Sequence, residues 1–187
     1  MPLSLPPLHA GRFQRIPRRL VQSNASSWCT VRMRRYATAW HRLNEGYAYE
    51  FYDNRRVLEE CGAQCARTVE KLQTLGAPGA ALADVFRMET LASNGGVWAD
   101  MDCVPLVPIG AWVQPRDDCV LHIEGSGTLV HWLIASTANH PLICAMRDRL
   151  CRNIDRLQAW PDGDVGDTIF KICGPSLFDA VARECLH

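Results

Sequence analysis

Residues 83–106 read ADVFRMETLASNGGVWADMDCVPL, and this stretch passes from a helical pattern to a strand pattern across a double glycine. Its first half belongs to an apolar repeat with helical spacing, which predicts a helix over residues 80–93. The Asn-Gly pair that ends at Gly95 is a common stop signal for a helix. The apolar run that follows predicts a strand over residues 97–104, ended by Pro105.

Two carboxylates, those of Asp100 and Asp102, stand one residue apart near the end of the predicted strand. Residues two apart in a strand project to the same face, so both acids share one side with Trp98. Two acids on one face repel each other unless a cation or hydrogen-bond donors lie between them. Mg²⁺ and Mn²⁺ prefer carboxylate oxygens and keep coordination positions for water or phosphate. The spacing therefore indicates either a divalent-cation site or two acids that leave the sheet into solvent.

The position of the acids favours a ligand site, because open α/β sheets hold their ligands at the carboxyl ends of strands. Gly95 and Gly96 allow the backbone to turn sharply and to approach a ligand closely. The preceding helix adds Asp84 and Arg87, which are three residues apart and share a face with Leu91. On an exposed face this pair is an ordinary ion pair, worth under about 1 kcal/mol. If the helix packs beside the strand, both side chains face the pocket, where they can bind sugar hydroxyls and phosphate oxygens.

The composition is that of an ordinary globular chain, with 187 residues, of which 48% are hydrophobic and 21% charged. This length suits one domain with a sizeable core, and the apolar content argues against disorder. A nucleic-acid partner usually requires a basic excess, and the formal net charge of zero argues against one. No run approaches the roughly 20 apolar residues that a membrane helix needs, so we expect no transmembrane segment.

The nine cysteines follow no tight metal-binding spacing, and the opening residues lack the apolar core of a signal peptide. Both observations favour reduced, mostly buried thiols in a cytoplasmic protein. Neither His131 nor His140 has a cysteine or histidine at ligand spacing, which argues against metal binding by either residue.

Positive charge is concentrated near the start of the chain, where seven arginines and no acid occur in the first 35 residues. These arginines are Arg12, Arg15, Arg18, Arg19, Arg32, Arg34 and Arg35. The cluster indicates either a solvated basic face or a surface for phosphates or another anionic partner.

The remaining segments continue the alternation of helices and strands. Further strands are predicted over residues 19–22, 47–52, 120–123 and 129–135. Further helices are predicted up to residue 43 with a cap at Ser26 or Ser27, and over residues 54–75, 141–157 and 174–185. This order predicts an α/β fold in which helices flank a mostly parallel sheet.

The stretch 83–106 closely resembles the signature of the glycosyltransferases whose sugar-binding region contains a DXD motif. This family includes fungal α-1,6-mannosyltransferases and is related to the core of the clostridial glucosylating toxins. Nine positions match in register: Asp84, Arg87, Leu91, Gly95, Gly96, Val97, Trp98, Asp100 and Asp102. Weaker similarity extends from residue 16 to about residue 180. Residues 16–23, IPRRLVQS, are similar to the opening strand of the family, although Val21 replaces the usual histidine.

The resemblance implies a GT-A type fold, a UDP- or GDP-sugar donor, and Mn²⁺ or Mg²⁺ that bridges the DXD acids to the donor diphosphate. By position, Asp102 would bind the metal directly, and Asp100 would contact the donor or reach the metal through water. The other donor-binding residues that the resemblance implies are Gln22, Asp84, Arg87, Gly95, Gly96 and Trp98. The family retains anomeric configuration without an agreed side-chain nucleophile, so the catalytic residue is unknown. Glu124 is a weak candidate for acceptor contact or proton transfer.

The predicted organisation is a loose lead-in over residues 1–15 and a single GT-A-like domain over residues 16–187. Family members usually continue past the last predicted helix with a segment that closes over the donor, and we expect that segment to be missing or displaced here. The predicted function is a metal-dependent retaining glycosyltransferase with an unknown acceptor, which is a glycan, lipid, protein or small molecule. A non-catalytic nucleotide-sugar or carbohydrate binding module and a divalent-metal phosphohydrolase are the alternatives.

Overall fold

The computed structural model describes residues 14–186, so residues 1–13 of the predicted lead-in lie outside the described residues. The Gln14 side chain contacts the folded part of the chain. Its Nε2 donates to the Ile16 carbonyl at 2.9 Å and to the Tyr47 hydroxyl at 3.0 Å. These hydrogen bonds attach Gln14 to the start of the folded domain.

Five strands form one sheet. They are β1 (Arg19–Asn24), β2 (Ala48–Asp53), β3 (Gly96–Ala99), β4 (Cys119–Ile123) and β5 (Leu129–Ser136). Their order across the sheet is β2-β1-β3-β5-β4. β1 pairs in parallel with β2 and β3, whereas β5 is antiparallel to both β3 and β4. Every strand except β5 therefore runs in one direction, which confirms the predicted mostly parallel sheet.

Helices flank this sheet. They are α1 (Val31–Leu43), α2 (Asn54–Glu60), α3 (Ala63–Thr74), α4 (Gly79–Asn94), α5 (Pro141–Asp155), α6 (Val165–Ile172) and α7 (Pro175–Leu186). Helix α4 packs against α3 and α5, and α7 packs against β5 and α5. The predicted α/β fold class is confirmed. Within residues 14–186, every helix is too short or too polar to cross a membrane.

The sheet is covered on both faces because its strands carry apolar residues at successive positions, which project to alternate sides. On one face, Val21, Trp98 and Ile134 join the buried side chains of α3, α4, α5 and α7. On the other face, Val97 packs with Trp40 of α1. This arrangement places α4 on the face of β3 that carries Trp98, so the polar residues of α4 lie close to the acids that follow β3.

The helix predicted over residues 54–75 divides into α2 and α3 at Cys61 and Gly62. The backbone of Cys61 is extended, with φ −63° and ψ 127°. A Cβ atom on Gly62 would collide with the Glu89 carboxylate of α4, so any other residue here requires the Glu89 side chain to move. The apolar spacing continues across this break, and for that reason the pattern does not reveal it.

Side-chain caps set two helix starts that the pattern does not predict. Helix α1 begins later than expected, because Thr30 Oγ1 accepts from the Met33 amide at 3.2 Å and the predicted serines do not cap it. Helix α6 has no counterpart among the predicted helices, and the Asp164 carboxylate starts it by accepting from the Asp167 amide at 2.8 Å.

The joint between α4 and β3 depends on two glycines with positive φ angles, +65° at Gly95 and +108° at Gly96. A Cβ atom on Gly95 would lie 2.6 Å from the Ala138 amide nitrogen, and one on Gly96 would lie 2.7 Å from the Arg19 carbonyl oxygen. The joint therefore brings the backbones of three chain segments into contact. The predicted helix stop at Gly95 is confirmed.

Candidate functional site

An open pocket of about 440 Å³ lies at the carboxyl ends of β1 and β3. Polar side chains from four parts of the chain line it, including Asn24, Asp84, Arg87, Asp100, Asp102 and His131. Four of these are predicted site residues, brought together because α4 packs beside β3. The location is the one at which open α/β sheets hold their ligands.

Arg87 is the centre of a buried polar network. Its Nη1 donates to Asp84 Oδ1 at 2.8 Å, and its Nη2 donates to Asp100 Oδ1 at 2.7 Å. The guanidinium carbon lies 5.1 Å from the centre of the Trp98 ring, within the range of a cation–π contact. Burial opposes the charge on Arg87, but the carboxylates of Asp100 and Asp84 outweigh it and raise the Arg87 pKa. Arg87 is thus a fixed cation that links Asp84 of α4 to Asp100, which follows β3.

Asp84 is a buried carboxyl group at the wall of the pocket, with 4% of its surface exposed. Burial raises its pKa to about 7, while the neighbouring Arg87 lowers it and Asp100 raises it further. The carboxyl therefore changes charge near neutral pH. A group of this kind inside a pocket is a common feature of functional sites, since it can exchange hydrogen bonds with a hydroxyl-rich ligand.

The chain leaves β3 in a tight turn that separates the two DXD acids. The Cys103 amide donates to the Asp100 carbonyl at 3.0 Å, so the strand ends well before the predicted limit of residue 104. Asp100 Oδ1 accepts from Trp98 Nε1 at 2.7 Å, as their shared face requires. Asp102 lies in the turn and is exposed, so the strand argument that placed it on the same face is wrong. Both acids nevertheless line the pocket.

The two DXD acids have oxygens free for a cation. Asp100 uses only Oδ1 in its contacts, and Asp102 has no hydrogen-bond or ion-pair partner within residues 14–186. The same described part of the chain has no group of three or more His, Cys, Asp or Glu residues that could hold a metal. Mg²⁺ is commonly bound by one or two carboxylates together with substrate phosphates and water. Asp100 and Asp102 therefore fit a divalent metal whose other coordination positions are filled by a phosphorylated ligand and water.

His131 is a site residue that the sequence reasoning missed. It is 4% exposed, and its Nδ1 lies 2.6 Å from Arg87 Nη1. A guanidinium only donates, so Nδ1 accepts and the neutral ring carries its proton on Nε2. Burial, and then the charge of Arg87, hold the His131 pKa well below its ordinary value. Nε2 lies 3.3 Å from Asp84 Oδ1, and a backbone hydrogen bond to Cys173 raises the His131 pKa in part.

Gln22 and Trp98 lie behind the acids and not in the pocket. Gln22 is fully buried, and its Nε2 donates to the carbonyls of Ala99 and Asp100, each at 3.2 Å. The Tyr49 hydroxyl donates to Gln22 Oε1 at 3.0 Å, so this side chain holds the start of the turn. Trp98 is 1% exposed and is held by Asp100, so its ring is closed to a nucleoside. Both residues hold Asp100 in position. Neither lines the pocket, where the resemblance implied that they would contact the donor.

The remaining predicted contacts also lie away from the pocket. Gly95 and Gly96 are at the amino end of β3, whereas the acids follow its carboxyl end, and both glycines serve the backbone packing at the α4–β3 joint. Glu124 is exposed in the turn between β4 and β5, where its amide donates to the Thr128 carbonyl at 2.9 Å. None of these three residues lines the pocket.

Comparison with known proteins gives concordant results. Residues 30–119 match the model of a family described as "Glycosyltransferase sugar-binding region containing DXD motif". A solved structure titled "PaToxG Glycosyltransferase" has a TM-score of 0.71 at 16% identity, covering 92% of this chain and 70% of that chain. The ligand-free glycosyltransferase domain from the YGT toxin has a TM-score of 0.52 at 11% identity, covering 73% of this chain and 50% of that chain. No curated protein matches the chain.

The matched region contains α4, β3 and the turn that follows, and so it contains every acid and the arginine of the buried network. The structural neighbours have the GT-A type fold, as the resemblance implied. Residues 30–119 are therefore similar to the sugar-binding region of the glycosyltransferases with a DXD motif, and the chain has a GT-A type fold.

Proposed function

We propose that the chain is a divalent-metal-dependent glycosyltransferase that uses a UDP- or GDP-sugar and retains anomeric configuration. The observation that supports this most directly is the joining of Asp84, Arg87 and Asp100 in one buried network beside the exposed Asp102. Buried, fixed charges suit the recognition of a sugar, and an exposed carboxylate suits a metal that arrives with a diphosphate.

The residues divide into two roles. Asp102 and the free oxygen of Asp100 would hold Mn²⁺ or Mg²⁺, which when bound stabilises the negative charge on the departing diphosphate. Asp84 accepts hydrogen bonds from hydroxyls of the donor sugar. Arg87 holds Asp84 and Asp100 in place and supplies positive charge at the pocket wall.

His131 adds a donor to the sugar-binding side of the pocket. Its Nε2–H is buried at the pocket wall, 3.3 Å from Asp84 Oδ1. Together these two groups offer a donor and an acceptor to a hydroxyl of the donor sugar. Gln22 and Trp98 act as positioning residues, since both reach the donor only through Asp100.

A donor screen by mass spectrometry tests this proposal. Each UDP- and GDP-sugar is incubated with the protein, with and without Mn²⁺, and release of the nucleoside diphosphate is measured. We expect one donor to be cleaved only with metal, and Asp102→Asn to reduce cleavage by about 100-fold or more. Asp162→Asn, which changes an exposed acid outside the pocket, is the matched control and should leave the rate unchanged.

The same screen separates the alternatives. Calorimetric binding of a donor without cleavage or transfer would identify a binding module. Release of phosphate from generic phosphoesters without sugar transfer would identify a phosphohydrolase. The absence of both binding and cleavage with every donor would overturn the proposal.

A further inference from the structure

The outer face of α1 carries a concentration of positive charge. Helical spacing places Arg34, Arg35 and Arg42 on one face, opposite the buried Trp40, with Arg32 at its edge. All four arginines are exposed, and none forms an ion pair within residues 14–186. A shallow depression of about 510 Å³ follows this face. We call these four arginines with Trp28 and Val31 the basic face.

The charge of the basic face is not neutralised by nearby sequence. The chain has no Asp or Glu before Glu45, and α1 itself contains none. Arg12, which belongs to the same cluster in the sequence, lies outside the described residues. Like charges on adjacent turns of a helix repel one another. A bound anionic partner would reduce the repulsion between these arginines.

Exposed apolar side chains occur at the start of the same helix. Trp28 is 87% exposed and Val31 is 69% exposed, just before and at the start of α1. The loop that displays the indole is held by hydrogen bonds, since Asn24 Nδ2 donates to the Ser26 carbonyl at 3.0 Å and to the Trp28 carbonyl at 3.1 Å. An exposed tryptophan on an ordered loop beside a row of cations is typical of a surface that enters a lipid headgroup layer.

We propose that the basic face docks on a membrane surface that contains anionic phospholipids. The arginines meet the headgroup phosphates, while Trp28 and Val31 lie at the boundary of the acyl chains. A bilayer with anionic headgroups accommodates both kinds of side chain together. This inference concerns attachment alone and does not depend on the proposed glycosyl transfer.

The docking surface lies across α1 from the candidate site. Met33 of α1 lines the pocket together with Asn24, and it lies two helical turns before the buried Trp40, on the side of the helix opposite the basic face. The basic face can therefore contact a membrane without covering the pocket.

Vesicle co-sedimentation tests the proposal with the full chain. Vesicles of phosphatidylcholine alone are compared with vesicles that contain 30 mol% phosphatidylserine, at about 0.1 M and about 0.5 M salt. We expect binding to the anionic vesicles only, and a loss of binding at the higher salt. The triple variant Arg34→Gln/Arg35→Gln/Arg42→Gln should bind about 100-fold more weakly, because each arginine contributes about fivefold near an anionic surface.

Two further variants complete the experiment. Trp28→Ala should weaken binding even at low salt, since it removes the apolar contribution. Arg67→Gln/Arg152→Gln/Arg156→Gln removes the same charge from exposed positions on α3, on α5 and at the C-terminal cap of α5, and it should bind as the wild type does. Circular dichroism verifies that each variant is folded. Equal loss in both triple variants, equal binding to neutral vesicles, or tighter binding to an RNA oligomer than to anionic vesicles would overturn the proposal.

Discussion

At the scale of single residues, Arg87 connects parts of the site that are distant in the sequence. It lies between Asp84 of α4, Asp100 after β3 and His131 of β5, with contacts of 2.6 to 2.8 Å. The planar guanidinium presents several donors in a fixed fork, and a lysine ammonium does not. The geometry of the pocket wall therefore depends on the shape of this side chain as well as on its charge.

The first prediction concerns Arg87→Lys. A lysine keeps the charge but cannot bridge Asp84 and Asp100 together, so the free energy of unfolding should fall by about 2 kcal/mol. Urea titration followed by circular dichroism measures the change. Arg149→Lys is the control, because the Arg149–Glu184 pair is exposed and its replacement should cost under about 0.5 kcal/mol. Equal losses in the two variants would contradict a special role for the Arg87 fork.

The second prediction concerns the pH dependence that Asp84 contributes to stability. Burial raises the Asp84 pKa to about 7 in the folded protein, whereas the value in an unfolded chain is about 3.9. Between these pH values the folded state holds one more proton than the unfolded state. The contribution of Asp84 to the free energy of unfolding is therefore fully present below about pH 4 and is lost as the pH rises to about 7.

Comparison of the wild type with Asp84→Asn isolates this contribution. The asparagine does not titrate, so the slope of unfolding free energy against pH between 4 and 7 should be less negative in the variant, by up to about 1.4 kcal/mol per pH unit. Denaturant unfolding at four pH values provides the measurement. Parallel curves for the two proteins would show that Asp84 has an ordinary pKa.

At the scale of elements, the joint between α4 and β3 determines where the acids lie. Gly95 and Gly96 end the helix and start the strand within two residues, so Arg87 and Asp100 meet after a reversal of the chain. The side chain of Arg19 also supports the joint, since it donates to the Gly95 carbonyl at 3.2 Å. A change at this joint should therefore affect both folding and the pocket at the other end of β3.

The third prediction compares alanine at two glycines with similar φ angles. Gly95 has φ +65° and Gly76 has φ +60°, but only a Cβ on Gly95 would meet backbone atoms, at 2.6 Å and 2.8 Å. Gly76→Ala should cost about 1 kcal/mol for the positive φ alone. Gly95→Ala should cost about 1–3 kcal/mol more, because the crowded backbone must move. Thermal unfolding with van't Hoff analysis measures both, and similar losses would show that the joint tolerates a side chain.

At the scale of the whole molecule, the last helix supports the site from behind. Phe178 of α7 is fully buried, and its ring centre lies 5.8 Å from that of His131. Since α7 also packs on β5 and α5, the C-terminal part of the described chain fixes the position of a residue in the pocket. The site is thus a product of the complete fold and not of the DXD segment alone.

The fourth prediction uses Phe178→Ala to test this support. Removal of a fully buried ring should lower the free energy of unfolding by about 3–5 kcal/mol. Phe170→Ala is the control, because Phe170 is 48% exposed and its loss should cost under about 1 kcal/mol. Guanidinium titration monitored by tryptophan fluorescence measures both variants. A small effect at Phe178 would mean that α7 contributes little to the folded state.

Features that depend on near neighbours in the chain could be predicted from the residue pattern alone. Apolar spacing and turn signals predicted the strands and most helices, and the positive φ of Gly95 followed from the Asn-Gly stop. Asp84, Arg87, Asp100 and Asp102 were predicted as site residues, and the structure brings all four to one pocket. Local patterns carry this information because helix and strand periodicity is set within a few residues.

Packing between elements sets which polar side chains face the pocket and which support it. Gln22 and Trp98 are buried behind the turn that carries the acids, and His131 joins the network around Arg87. The hydrogen bonds between elements that produce this arrangement join residues 13 to 78 positions apart in the sequence. The break between α2 and α3 likewise falls where Gly62 packs close to the Glu89 side chain of α4. A periodic pattern describes one element at a time, whereas burial and hydrogen-bond partners are set when elements pack together.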